Sequence, residues 1–240
     1  MKKIWWNWLF IGLGLAVVIS LYWIFRGKHN NRICSDFEVK VVNKSPAFVD
    51  KAGIASHLRA DSVLFIGRNW NDINLTRIES SLLENDFIEQ VDCYAGFDGI
   101  LHMDITQKTA ILRVIPDEKS GYYIDENGHS FPLSNKYTPR VLVATGPIHP
   151  GLHKKLYTFT MYVNQSTRWK PLVEQIFVNT DGDLIFTTRL GGHEVVVGDC
   201  TRLEQKFNKL DDFYNKVSKH QGWEKYKVIN LKYRDQVICK

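Results

Sequence analysis

The amino-acid sequence predicts an α+β protein: a single N-terminal transmembrane helix, a module in the order β-α-α-β-β, then a mostly antiparallel β domain with flanking helices. Three observations carry that expectation. Ile4 to Phe25 is an apolar run without an ionisable acid or base. Strand and helix periods alternate between Phe37 and Gln107, and beyond Lys108 short β-type runs are separated by Asn-Gly, Asp-Gly and Gly-Gly pairs.

As a helix rising ~1.5 Å per residue, the first run reaches roughly 33 Å, enough for a hydrocarbon core of about 30 Å. Trp5, Trp6 and Trp8 at one end and Tyr22 and Trp23 at the other fall where aromatic belts lie. A cleavable signal peptide would continue into small residues, whereas Tyr22 to Arg26 is bulky throughout, so a retained anchor is expected. Lys2 and Lys3 face Arg26, Lys28 and Arg32 across the run, and positive charge hardly chooses an orientation. Size decides it: residues 1–3 read as a short cytoplasmic tail, and the bulk of the chain is expected outside the cytoplasm. Gly12, Ala16 and Ser20 have the small-xxx-small spacing of packing helices, which leaves open whether the span is a tether or a contact surface. Residues 26–35 then read as a juxtamembrane linker, 36–107 as the β-α-α-β-β domain and 108–240 as the β domain.

With 44% hydrophobic and 24% charged residues the chain has the make-up of an ordinary globular protein, which excludes disorder. The net charge of +5 drops to +3 without Lys2 and Lys3, and the remaining basic residues are interspersed with acidic ones. Nucleic-acid binding needs a basic stripe and is not expected. Cys34, Cys93, Cys200 and Cys239 form no CxxC pair, so the spacing of a structural zinc site is missing. Free buried cysteines are expected, with a Cys200–Cys239 disulfide as the alternative in an oxidising compartment. Asn43, Asn74 and Asn164 stand in Asn-x-Ser/Thr triplets.

Phe37 to Val41 alternates as a half-buried strand does. Ser45-Pro46 has the form of a helix start, with Phe48, Ala52, Ala55 and Leu58 following at helical spacing. Asn74 caps a second helix, whose apolar face carries Leu75, Ile78 and Leu82. Ile88 to Phe97 and Ile100 to Gln107 form a hairpin across Asp98-Gly99, with Val91 and Cys93 facing one side of the first strand and Leu101, Met103 and Ile105 one side of the second. Strand, helix, helix, strand, strand is the order of a POTRA module. In the second domain strands are expected at Thr109 to Ile115, Tyr122 to Ile124, Arg140 to Thr145, Gln175 to Asn179, Leu184 to Arg189 and Glu194 to Gly198. One helix shows Leu152, Leu156, Phe159 and Val163 on a face; another shows Leu203, Phe207, Leu210, Tyr214 and Val217. Thr201 to Glu204 reads as a capping box for the latter, with Glu204, Lys206, Lys209, Asp211 and Lys216 on a solvated face. Tyr226 to Tyr233, a turn at Arg234-Asp235 and Gln236 to Cys239 close the chain as a hairpin.

Enzyme signatures such as GxSxG, HExxH or a phosphate-binding loop do not occur. Asp125 to His129 is the densest polar cluster, and its Asp, Asn and Gly are what a hairpin turn requires. His149 and His153 read as part of a helix start and His193 as a strand start. No catalytic residue, cofactor or metal site is expected. The terminal hairpin is the better candidate, since a border strand offers unpaired amides and carbonyls to an incoming chain. Lys232, Arg234 and Asp235 equally suit an edge blunted by charge, and the residues alone leave both readings open.

A resemblance bears on that choice. Gln107 to Val114, Tyr122-Tyr-Ile-Asp-Glu-Asn-Gly128, Phe131-Pro-Leu-Ser134, Leu184 to Asp199 with Leu203-Glu-Gln-Lys-Phe207, and Val228 to Tyr233 resemble, in order and spacing, segments of the bacterial cell-division family FtsQ/DivIB, and PLSNKYTPRV is most similar to its Bacteroidetes branch. The resemblance implies a non-enzymatic divisome scaffold of the inner membrane, periplasmic in bulk and placed at the septum. It further implies that FtsB and FtsL-like bitopic proteins, among other divisome components, bind by strand addition at the C-terminal edge. Carried over by position, Arg189, Lys232 and Tyr233 belong to that binding face, within an edge comprising Val228, Ile229, Asn230, Leu231, Lys232, Tyr233, Gln236, Val237 and Ile238. Asn230 stands where the family usually has an acid and Lys232 where it has arginine, and lysine lacks the bidentate fork. The alternatives are a type II membrane enzyme of a secretory compartment and a POTRA-bearing transport or assembly factor.

Overall fold

The computed structural model describes residues 13–23, 32–42, 48–61, 63–117, 120–218, 222 and 225–240. Residues 13–23 form helix α1, on which Leu13, Val18 and Trp23 are about two-thirds exposed. The rest of the apolar run, 4–12 and 24–25, lies outside the described residues, as do most of the linker and Ser45-Pro46. Among the described residues no helix is long and apolar enough to cross a membrane. The chain divides into two compact units, Met1–Gln107 and Lys108–Lys240.

In the first unit β1 (Asp36–Val41) lies parallel to β3 (Ile100–Gln107), and β2 (Ile88–Ala95) lies antiparallel to β3 on its other side. Leu101, Met103 and Ile105 alternate inward from β3 and are fully buried, as a period of two requires. Helix α2 (Lys51–Ala60) starts later than Ser45-Pro46 suggests. Its cap is Asp50, whose carboxylate accepts the Gly53 N–H at 2.9 Å. That shift turns the buried face to Ile54 and Leu58, exposes Ala52, and leaves Phe48 ahead of the helix, stacked on Phe87 at 5.4 Å. Helix α3 (Leu75–Leu83) is capped by Asn74, which accepts the Arg77 N–H, and buries Ile78 and Leu82. Its Glu79 accepts the Cys93 N–H at 2.9 Å, so α3 satisfies a donor on the outer strand β2. The β2–β3 turn is wider than a two-residue Asp98-Gly99 link. Gly96 N–H pairs with Ile100 O, Gly99 adopts φ +86°, and Phe97 leaves the strand at 90% exposure.

The second unit is one nine-stranded sheet with β4 (Ala110–Ile115), β5 (Tyr122–Asp125), β6 (Ser130–Pro132), β7 (Leu142–Thr145), β8 (Val173–Val178), β9 (Leu184–Thr188), β10 (Glu194–Gly198), β11 (Val228–Asn230) and β12 (Ile238–Cys239). The order across it is β12-β11-β10-β9-β8-β7-β4-β5-β6. Joints β4/β7, β7/β8 and β10/β11 are parallel and the other five antiparallel. Helices α4 (His153–Gln165) and α5 (Leu203–Phe213) share one core: Phe207 of α5 lies 6.0 Å from Phe159 of α4, and both rings lie 5.6 Å from Phe186 of β9. Trp169 closes the cluster, 5.0 Å from Phe207. All four cysteines are free thiols.

The capping box is not formed. Thr201 donates its N–H and hydroxyl to Asp199 Oδ1 at 3.1 and 2.7 Å, and Arg202, in the left-handed region at φ 52°, precedes the helix without a side-chain cap. Lys206 also departs from the expected solvated face, being 4% exposed.

Candidate partner-binding edge

The C-terminal border is assembled from α5 outward. Lys206 points under the helix to the β10 exit, donating to Asp199 Oδ1 at 2.6 Å and to Asp199 O at 2.9 Å. The ammonium's hydrogen bond, helped by Thr201, holds the Asp199 carboxyl down to about 2 against the opposing effect of burial. Lys209, nearly one turn on, reaches the other side of the strand exit, donating to Leu231 O at 3.3 Å and to Tyr233 O. Burial lowers the proton affinity of its amine, and the neighbouring Lys206 and Arg202 charges lower it further. Two lysines of one helix thus fix where β10 ends and where β11 ends.

Within that frame β11 docks parallel to β10, with Val228, Ile229 and Asn230 opposite Glu194, Val195 and Val196. Ile229 and Leu231 are fully buried, so these two proposed site residues are core rather than contact surface. Asn230 Oδ1 accepts the Lys232 N–H at 3.0 Å, a local turn that an asparagine makes as well as an acid. Lys232 lies across Gly198, whose Cβ, were it present, would be 2.7 Å from Lys232 Cγ, and its ammonium donates to Asp183 Oδ2 at 2.5 Å. That hydrogen bond raises the lysine's proton affinity and gives it a carboxylate partner within its own chain. Tyr233, 48% exposed, opens the turn, followed by exposed Gln236.

Strand β12 returns antiparallel, with Ile238 opposite Asn230 and Cys239 opposite Ile229. Lys240 and Val228 exchange both backbone bonds, at 3.0 and 3.1 Å. In an antiparallel ladder bonded and non-bonded pairs alternate, so Cys239 turns its N–H and C=O away from β11, to the outside of the sheet. Val237 and Cys239 pack toward the core while Ile238 is 37% exposed. The opposite border, β6, is partly blunted: Asp125 N–H bonds His129 O, and by the same alternation Ser130 and Pro132 face outward, of which Pro132 has no N–H to offer.

Arg189 is not part of this cluster. It follows β9 at the end where Glu174 begins its neighbour, with Nε 3.5 Å from Glu174 Oε1. Asp183, the partner of Lys232, stands six residues away at the other end of β9, about 20 Å in extended chain. A partner touching both Arg189 and Lys232 would have to run the length of the strands.

Three residues expected on a solvated face or at a strand start have further structural partners. Lys206 and Lys209 position the hairpin, and His193, 2% exposed, is hydrogen-bonded to Tyr214 at 2.5 Å beneath the start of β10. A signal existed for Lys206, since Leu203, Lys206, Phe207 and Leu210 lie on one helical face. The Asp125 cluster is a turn: its carboxylate accepts the N–H groups of Asn127 and His129 at 3.0 and 2.7 Å. His153 donates to Gly128 O at 2.8 Å beside it. Among the described residues no three His, Cys, Asp or Glu converge as metal ligands.

Residues 109–240 match the family model described as FtsQ/DivIB, C-terminal related, and residues 32–106 match that of the POTRA-like domain. No curated protein matches the chain.

Proposed function

We propose, from the premise that this chain belongs to the FtsQ/DivIB family, that it is a cell-division scaffold which receives a strand of an FtsB- or FtsL-like bitopic protein on the outer side of β12. In this reading it works without catalysis, anchored in the inner membrane by Ile4 to Phe25, with both units periplasmic and concentrated at the septum. The observation that carries it is the outward N–H and C=O of Cys239 at a border held in place by α5. An incoming strand would pair with that backbone and pack on Ile238 and Tyr233, both partly exposed. An anchor helps such a short edge, because confinement of both partners to one membrane raises their effective concentration.

Cys239→Pro tests the edge. It removes the outward donor while the bonds of Ile238 and Lys240 to β11 are kept. Expected is unchanged folding by circular dichroism and roughly tenfold or greater weakening of FtsB-like partner binding in the co-reconstituted membrane proteins. Unaltered affinity would remove β12 as the docking strand. Depletion of the protein should give filamentous cells with segregated chromosomes.

A further inference from the structure

The N-terminal end of the first unit carries, among the described residues, a group of exposed large apolar side chains. Arg32 to Ser35 runs between two loops. On one side Gly67 N–H bonds Cys34 O at 2.7 Å and Cys34 N–H bonds Arg68 O at 2.9 Å. On the other, Ser35 N–H bonds Gly99 O at 2.9 Å and the Arg32 guanidinium donates to Phe97 O at 3.2 Å. Phe65 is buried, 5.7 Å from Phe37, which holds its flanking residues outward. The side chains displayed by this braced backbone are apolar: Ile33 is 57% exposed, Leu64 62%, Ile66 54% and Phe97 90%. Exposed Arg59 borders Leu64 and Ile66, exposed Arg68 borders Leu64 beside Asp72, and exposed Arg32 reaches Phe97 O. Asp98, the acid of the turn, is directed to the Ile100 N–H at 2.9 Å and to His102 at 3.6 Å.

A cluster of large apolar side chains with guanidinium groups around it fits a phospholipid surface, where rings and branched chains enter the interfacial layer and arginines meet phosphates. Chain length points to the same occupant. Trp23 of α1 precedes Arg32 by nine residues, at most about 32 Å of extended chain, with Arg26 and Lys28 between. A bilayer holding Ile4 to Phe25 is therefore within constant reach of this face. We propose that the face formed by Ile33, Leu64, Ile66 and Phe97 lies on the bilayer, with Arg32, Arg59 and Arg68 against anionic phospholipid headgroups. The proposal rests on the anchor reading of Ile4 to Phe25. It makes the first unit a membrane-seated platform.

The test uses the full chain in phosphatidylcholine vesicles with or without phosphatidylglycerol. An environment-sensitive fluorescent amino acid replaces Phe97, Ile66, Val17 or Leu83 in turn, and nitroxide lipids quench it from shallow or deep positions. Expected is shallow quenching at Phe97 and Ile66, stronger with phosphatidylglycerol, deep quenching at Val17, and none at Leu83. Quenching at Val17 without Phe97 and Ile66 overturns the surface and retains the anchor. Quenching at Phe97 and Ile66 without Val17 retains the surface and overturns the anchor; none at any site overturns both. Equal quenching at Leu83 and Phe97 overturns the assignment of this face, and shielding from aqueous iodide without lipid quenching gives the face to a protein and overturns it too. With the fluorophore at Leu64, the pair Ile66→Glu and Phe97→Glu should abolish shallow quenching without changing the circular dichroism spectrum.

Discussion

Lys206 carries more of the second unit's order than its residue type suggests. Its ammonium serves two oxygens of Asp199 from a position 4% exposed. Lys206→Met keeps the stem and removes the charge-assisted bonds, which should cost about 1–3 kcal/mol in denaturant unfolding. The acid limb should move with it. Asp199 is held at about 2 in the folded chain, below its unfolded value of about 3.9, so its contribution is complete above pH ~4 and disappears as pH falls toward 2. In the variant that loss should begin nearer the ordinary carboxylate range. His193 gives a second, milder window. Burial pushes its imidazole below the usual histidine range, and the unfolded chain takes up that proton more readily. Stability is then full above about pH 6.5 and declines as pH drops below it. Thermal midpoints between about pH 7.5 and 5 should show the decline, and His193→Gln should flatten it. A persistent slope in the variant would place the responsible group elsewhere.

At the scale of elements, what the sequence made legible was what local periodicity encodes. Leu101, Met103 and Ile105 alternate into the core, and Ile78 with Leu82 marks the buried face of α3, as read. Helix starts were less legible because several residues can cap. Asp50 caps α2 by closing on Gly53, while Thr201 bonds Asp199 and never meets Glu204 as a capping box would. Asp50→Ala should therefore cost about 0.5–2 kcal/mol, whereas Glu204→Ala should stay within about 0.5 kcal/mol, both read by urea unfolding. The pairing of β4 with β7 and of β10 with β11 left no local trace, since the partners lie far apart in the chain. The candidate edge was likewise half legible. The terminal hairpin was foreseen, but the burial of Ile229 and Leu231 follows from β11 entering the sheet beside β10, which spacing within the hairpin does not reveal. Lys209 should matter to this edge selectively. Lys209→Met should speed amide exchange in β11 and β12 and leave β8 unaltered, because it clamps the Leu231 and Tyr233 carbonyls alone.

At the scale of the whole molecule, two units each with a core of its own should unfold as separable events. Phe207→Ala, at the centre of the Phe159, Phe186 and Trp169 cluster, should destabilise by about 3–5 kcal/mol. Calorimetry should show one transition displaced and the other fixed; joint displacement would mean a single cooperative block. The unlike borders of the large sheet also bear on self-association. With Pro132 at one margin and an open backbone at the other, two copies can join through their sheets by mating β12 with β12, an arrangement related by a twofold axis. Such a pair uses the β12 border of both copies, so pairing through β12 closes at two. The backbone that would receive a partner strand is the same one that two copies would share, so self-pairing and partner binding through β12 exclude each other.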